Sequence, residues 1–316
     1  MEIVAEQIII LTIIGLVGFI GAKAKILTTE GNKSLSRLIL KITLPLLIFT
    51  TFANTKLSFE LLSGLPYVVG TAVLSIIILF GLGSFSAKLQ RLNSENTALH
   101  RASTMFGNIA FLGFPILDAI FPGGEGLIYA SIFQLTHDAI MWTFGLFILN
   151  KSVQNQSKES WKHIINPATV SLFTGLVFLF LPFQLPKILY EPLHGIGHST
   201  IYLSMIYTGA ILNKTNFKSV ILNYRSYILC FNKLLLCPII ITFVFLFLSR
   251  FNLGIPHKAI ICAIMQTAMP CMIIISVLAE ELELNSKQSV ENIFISSILS
   301  ILTLPLIYFL ADLILD

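Results

Sequence analysis

The sequence predicts an all-α membrane protein of ten transmembrane helices, arranged as two inverted repeats of five. Three observations predict it. The 316 residues are 55% hydrophobic and only 11% charged, with a mean hydropathy of +0.86, outside the balance of a soluble globular domain. Apolar runs of about 20 residues, the length a helix needs to cross a hydrocarbon core, recur along the whole chain. A polar stretch from Asn150 to Asn166, "NKSVQNQSKESWKHIIN", splits the runs into five and five, so the second half enters the bilayer from the opposite face.

The first run, 3–22, follows Glu2 and Glu6 where a signal peptide would carry Lys or Arg, and is expected as a retained helix. The second, 36–53, and the third, 64–87 with Pro66, are ordinary spans. The fourth, 98–120, contains "GNIAFLGFPILDAIF", a stretch rich in helix breakers. The fifth, 126–149, places His137 and Asp138 near its centre. Beyond the linker come 167–186 and 193–212, the latter opening on "HGIGH", two histidines four apart whose Gly-rich setting argues against a metal. The eighth run, 225–248, carries Lys233 and Pro238; the ninth, 258–279, contains "QTAMPCMII"; the tenth is 290–312. The expected domains are 1–149, the linker 150–166, and 167–316.

Lys and Arg gather after the odd-numbered runs, whereas only Lys56, Lys187, Arg250 and Lys258 lie at the opposite ends. By the positive-inside rule the linker faces the cytoplasm and both termini face out. The net charge of +4 then needs no nucleic-acid partner. The four cysteines fall in apolar runs without a CxxC pair and are expected as buried small hydrophobes.

Runs four and nine hold corresponding places in the two halves, and each has a mid-span proline among small or amide residues. Paired interruptions of this kind point to transporters whose discontinuous helices form a midplane site. Helix breaks at Pro115 and Pro270 would start new half-helices there, with Gly107 and Gly113 letting the unwound backbone bend. Their N-terminal N–H groups would favour an anion, oriented by Asn108 and Gln266, with Thr267 beside it. One such break alone is equally a kink or a packing face.

Read in order, "FGNIAFLGFPI", "WTFGLFIL", "NPATVSLFTGL", "KLLLCP", "QTAMP", "LAEE" and "SSILSILTLPL" are similar to motifs of the auxin efflux carrier family, in its bacterial branch. The resemblance runs from end to end, with one departure: Cys271 stands where the family often has a second proline. That departure predicts a softer break in run nine. The resemblance implies broken helices four and nine crossing near the bilayer midplane. It also implies a moving domain of helices 3–5 and 8–10, a scaffold of 1, 2, 6 and 7, and a small organic anion as substrate.

Ionisable groups inside a span are expensive and mark function by default. Lys233 is expected to neutralise Asp138 or a substrate carboxylate, with His137 or Asp138 titrating if transport is proton-coupled. Sodium coupling and pairing with a second copy stay open, and no cofactor is called for. The alternatives to a carrier are an anion channel, a ligand-sensing membrane protein, or an intramembrane enzyme built on His137 and Asp138; the sequence has no HExxH or GxSxG motif to support the last.

Overall fold

Away from water every backbone N–H and C=O must find a partner inside the protein, and apolar runs of this length do so as helices. The computed structural model describes residues 2–54, 59–152, 167–181, 185–213, 223–282 and 284–315. Most of the expected linker, with the Lys158, Lys162, Lys214 and Lys218 of the orientation argument, lies outside them, as does Lys56.

The described residues form α1 (Glu2–Lys23), α2 (29–54), α3 (Phe59–Leu89), α4a (Ser94–Met105), α4b (Ile109–Ile120), α5 (Glu125–Lys151), α6 (Pro167–Leu179), α7 (Lys187–Leu212), α8 (Tyr224–Ser249), α9a (His257–Thr267), α9b (Ile274–Glu281) and α10 (Ser286–Leu315). Among the described residues α2, α3, α5, α8 and α10 are long and apolar enough to cross a membrane. Side-chain caps fix three starts: Thr28 Oγ1 accepts from Gly31 N–H at 3.1 Å before α2, Asn93 Oδ1 from Asn96 N–H at 2.9 Å before α4a, and Asn223 Oδ1 from Arg225 N–H at 3.2 Å before α8. Gly123 and Gly124, at φ +106° and +94°, turn α4b into α5 through backbone that other residues rarely adopt.

Proline alone does not break these helices. Pro66, Pro192 and Pro305 sit inside continuous α3, α7 and α10. Three other prolines each follow a π-turn: Ile39–Thr43 precedes Pro45, Ile109–Gly113 precedes Pro115, and Phe231–Leu236 precedes Pro238. In each, the residue before proline donates five residues back, from Leu44 to Ile39, Phe114 to Ile109 and Cys237 to Asn232. The wider turn makes room for a ring that would otherwise strike the carbonyl four residues back.

The helices pack in two groups. In one, α1 lies on α7 and α2 on both α6 and α7. Gly18 meets the Ile206 backbone and Gly209 the Gly15 carbonyl, so closely that a Cβ at either would collide, the small-residue contact expected where lipid gives no hydrophobic drive. In the other, α3 gathers α4a, α5 and α9a, while α8 and α9b pack on α10. α4b lies across the boundary, with the Phe111 and Tyr207 ring centroids 5.4 Å apart and Asp118 Oδ2 3.5 Å from His198 Nε2 on α7.

A helix crossing with one orphaned amide

Both expected breaks exist, but their positions differ from the sequence reading. α4 unwinds at 106–108, before its π-turn, and Pro115 lies two turns further on inside α4b. The second half-helix therefore starts at Ile109. α9 unwinds over 268–273, and α9b starts at Ile274, with Pro270 inside the unwound stretch. The α9 break is the longer of the two; Pro270 brings no N–H to continue the ladder, and Cys271 is paired across to Gly107.

The two unwound stretches cross and pair as an antiparallel bridge of Gly107 with Cys271. Asn108 N–H donates to Pro270 O at 2.7 Å, and Met272 N–H to Phe106 O at 3.0 Å. A Cβ at Gly107 would sit 3.4 Å from the Met269 carbonyl oxygen and 3.7 Å from Lys233 Nζ, at the edge of ordinary contact. Each helix thus supplies the partners that the other lost, which is how irregular backbone survives at this depth.

Side chains take the groups that remain. Lys233 Nζ, 1% exposed, donates to Thr104 O at 2.8 Å, placing a cation on the negative end of α4a. Gly107 N–H donates to His137 Nε2 at 3.1 Å, which leaves Nδ1 to donate to Asp138 Oδ1 at 3.3 Å. Asp138 Oδ2 accepts from Gln134 Nε2 at 3.2 Å. Cys271 N–H donates to Ser296 Oγ at 3.0 Å. Lys233 thus serves a backbone carbonyl rather than meeting Asp138 as its hydrogen-bond partner.

Gln266 differs from all of these. It is buried, and neither its Oε1 nor its Nε2 has a hydrogen-bond partner. Each such unmade bond costs about 1–3 kcal/mol. Its amide lies against α4b at Gly113, where a Cβ would collide with Oε1. Gly113 has an ordinary helical φ of −66°, so it serves by making room for Gln266 and not by bending the chain.

Asn108 is buried at the head of α4b, with the crossing on one side and the helix N-terminus on the other. Thr267 is buried too, but its hydroxyl donates back to Ile264 O at 2.7 Å, within its own helix. Sequence reasoning missed Thr104, Gln134 and Ser296; the serine belongs to the quoted "SSILSILTLPL" stretch, and the carbonyl of Thr104 carries no signal in a side-chain pattern. Among the described residues no group of three or more His, Cys, Asp or Glu can hold a metal. His194 and His198 stand 5.6 Å apart, centroid to centroid, on α7. All four cysteines are buried thiols without a disulfide.

Two broken helices paired backbone to backbone inside a helical membrane protein are the arrangement expected of a membrane transporter. The sequence model of the family described as "Membrane transport protein" matches residues 3–308, and the chain belongs to this family, that of the auxin efflux carriers. Two archaeal relatives are each called an uncharacterized transporter. That of Methanothermobacter thermautotrophicus is 26% identical over 311 residues, covering 95% of this chain and 96% of the relative. That of Methanocaldococcus jannaschii is 24% identical over 308 residues, again covering 95% and 96%.

Proposed function

We propose that the protein is a carrier for a small organic anion, a carboxylate, working by alternating access. The reading has ten membrane helices in two inverted repeats, 1–149 and 167–316, in an inner membrane with both termini on the non-cytoplasmic side. The group of α1, α2, α6 and α7 serves as scaffold, and the group around α3, α5, α8 and α10 moves with the crossing. Packing supports the division, because each group is densest within itself.

The observation that carries the proposal is the Gln266 amide, buried at the crossing with both polar atoms unpaired. A buried donor and acceptor left unmade call for a partner from outside the chain, a water, an ion or a solute; Asn32 and Gln90 have unpaired amides too, but only that of Gln266 lies at the crossing. A carboxylate fits the donor, accepting from the amide nitrogen and from the leading N–H groups of α4b, whose positive end attracts it, while a hydroxyl or amino group elsewhere on the same solute would donate to Gln266 Oε1. Asn108, at the head of that helix, fixes its orientation.

The test is a panel of carboxylates added to purified protein, with binding read by calorimetry. Gln266→Leu is expected to abolish binding and to raise thermal stability, because it removes two unsatisfied groups. Asn108→Ala is expected to weaken binding. Undiminished binding by Gln266→Leu sinks the assignment. Saturable counterflow in liposomes then separates a carrier from a channel, and conversion of the solute to a new compound would reveal an enzyme.

A further inference from the structure

Of the side chains that close the α4 break, one changes its hydrogen-bonding role by gaining a single proton. His137 Nε2 accepts the Gly107 N–H at 3.1 Å, so the imidazole is neutral in this arrangement, with Nδ1–H toward Asp138 at 3.3 Å. The Asp138 side chain is 14% exposed against 3% for His137, making the carboxylate the wetter end of the chain of contacts. Gly107 is itself one of the two bridged residues of the crossing.

We infer that His137 is the proton-binding site of the carrier, and that the proton is the ion coupled to movement of the crossed helices. The inference rests on the carrier reading above. A proton on Nε2 sets two donors face to face, so Gly107 N–H loses its acceptor at the point where α4 meets α9. Imidazolium is then retained by Asp138. Proton uptake through Asp138 therefore exchanges a contact that locks the crossing for one confined to α5.

The charged groups that reach His137 are Asp138 on its own helix and Lys233 from α8. α4 presents the Phe106 ring edge-on, centroids 5.2 Å apart, and the Gly107 backbone, neither of them ionisable. Cys271 of α9 and Cys230 and Cys237 of α8 are ionisable groups that lie near Lys233. The helices α2, α3 and α9a also pack on α5, and no described charged side chain of theirs acts on His137. Lys233 is already held on Thr104, so the pair of Asp138 and Lys233 frames the imidazole with one charge of each sign.

Hydrogen exchange of the purified protein tests this without any transported solute. Between about pH 8 and about pH 5, after correction for intrinsic rates, wild type is expected to show roughly tenfold faster exchange in peptides covering 106–108 at the acid end, the effect of one lost buried hydrogen bond. His137→Gln keeps an acceptor for Gly107 but does not titrate, and its exchange there is expected to be independent of pH. Wild-type exchange that ignores pH overturns the inference, and this measurement needs no variant to fold. An equal acid response in His137→Gln overturns it as well. In liposomes, accumulation of the best-binding carboxylate under an imposed pH gradient is expected to be lost in His137→Gln, and undiminished accumulation counts against the coupling. A carboxylate panel that fails to bind removes the carrier reading and leaves the exchange result standing by itself.

Discussion

The breaks in α4 and α9 meet at the same point but have different origins. α9 carries its own interruption, because Pro270 has no N–H to continue the ladder, and its unwound stretch runs over 268–273. α4 has no proline at 106–108 and is held open from outside, by Lys233 on the Thr104 carbonyl, His137 on the Gly107 N–H and Pro270 on the Asn108 N–H. The α9 interruption has a local cause as well as partners from outside, Ser296 Oγ on the Cys271 N–H and Phe106 O on the Met272 N–H, whereas that of α4 is imposed by tertiary contacts. The imposed one is the more responsive, since two of its three partners, Lys233 and His137, are side chains that can be removed or recharged while the chain around it stays intact.

The comparison is broken most severely at Lys233. Lys233→Met keeps the stem but removes the ammonium, and it is expected to cost about 2–3 kcal/mol, the upper range for a hydrogen bond to a charged group. A fall in melting temperature together with loss of transport would bear this out; a variant that transports normally would show that the break in α4 does not depend on its neighbours. Next is Gly113→Ala, whose Cβ enters the space of the Gln266 amide. It is expected to cost about 1–3 kcal/mol as an overpacked contact and to abolish carboxylate binding.

Pro270→Ala sharpens the contrast from the other side. It restores the missing N–H and is expected to slow exchange within 268–273 while changing stability by only about 1 kcal/mol, because the backbone pairing to α4 persists. Unaltered exchange there would mean that α9, too, is held open from outside. Smallest of all is Thr267→Val, expected to stay within about 1 kcal/mol in stability and to leave binding unchanged, because the hydroxyl is already spent on Ile264. Lost binding would return Thr267 to the site.

These two origins also explain what was legible beforehand. Apolar runs located the helices because hydropathy acts residue by residue, although α7 begins at Lys187 and not near 193 and α6 ends at Leu179, short of the expected 186. The α9 break was readable from Pro270, a local signal. The α4 break was assigned to Pro115 by the same logic, wrongly, because a π-turn absorbs that proline and the unwinding is dictated by residues on α5, α8 and α9. Lys233 and His137 were named from the cost of ionisable groups in a span, and Asn108 and Gln266 as amides beside the expected breaks. Of their partners, the Thr104 carbonyl went unread because a backbone oxygen leaves no mark in a side-chain pattern, and Gly107 was named for its flexibility rather than as the donor to His137.

One detail of the helices limits how they can move. A π-turn stores one residue beyond the regular count, and passing it along a helix would spin the downstream segment by about 100°, like a screw advanced by a single notch. In α2, α4b and α8 the proline that follows pins that surplus residue at a fixed station. The surplus in α5, at Met141–Gly145, has no such pin; what restrains it is the Phe106 ring pressed against Gly145, so the unwound corner of α4 doubles as the latch on its neighbour's rotation.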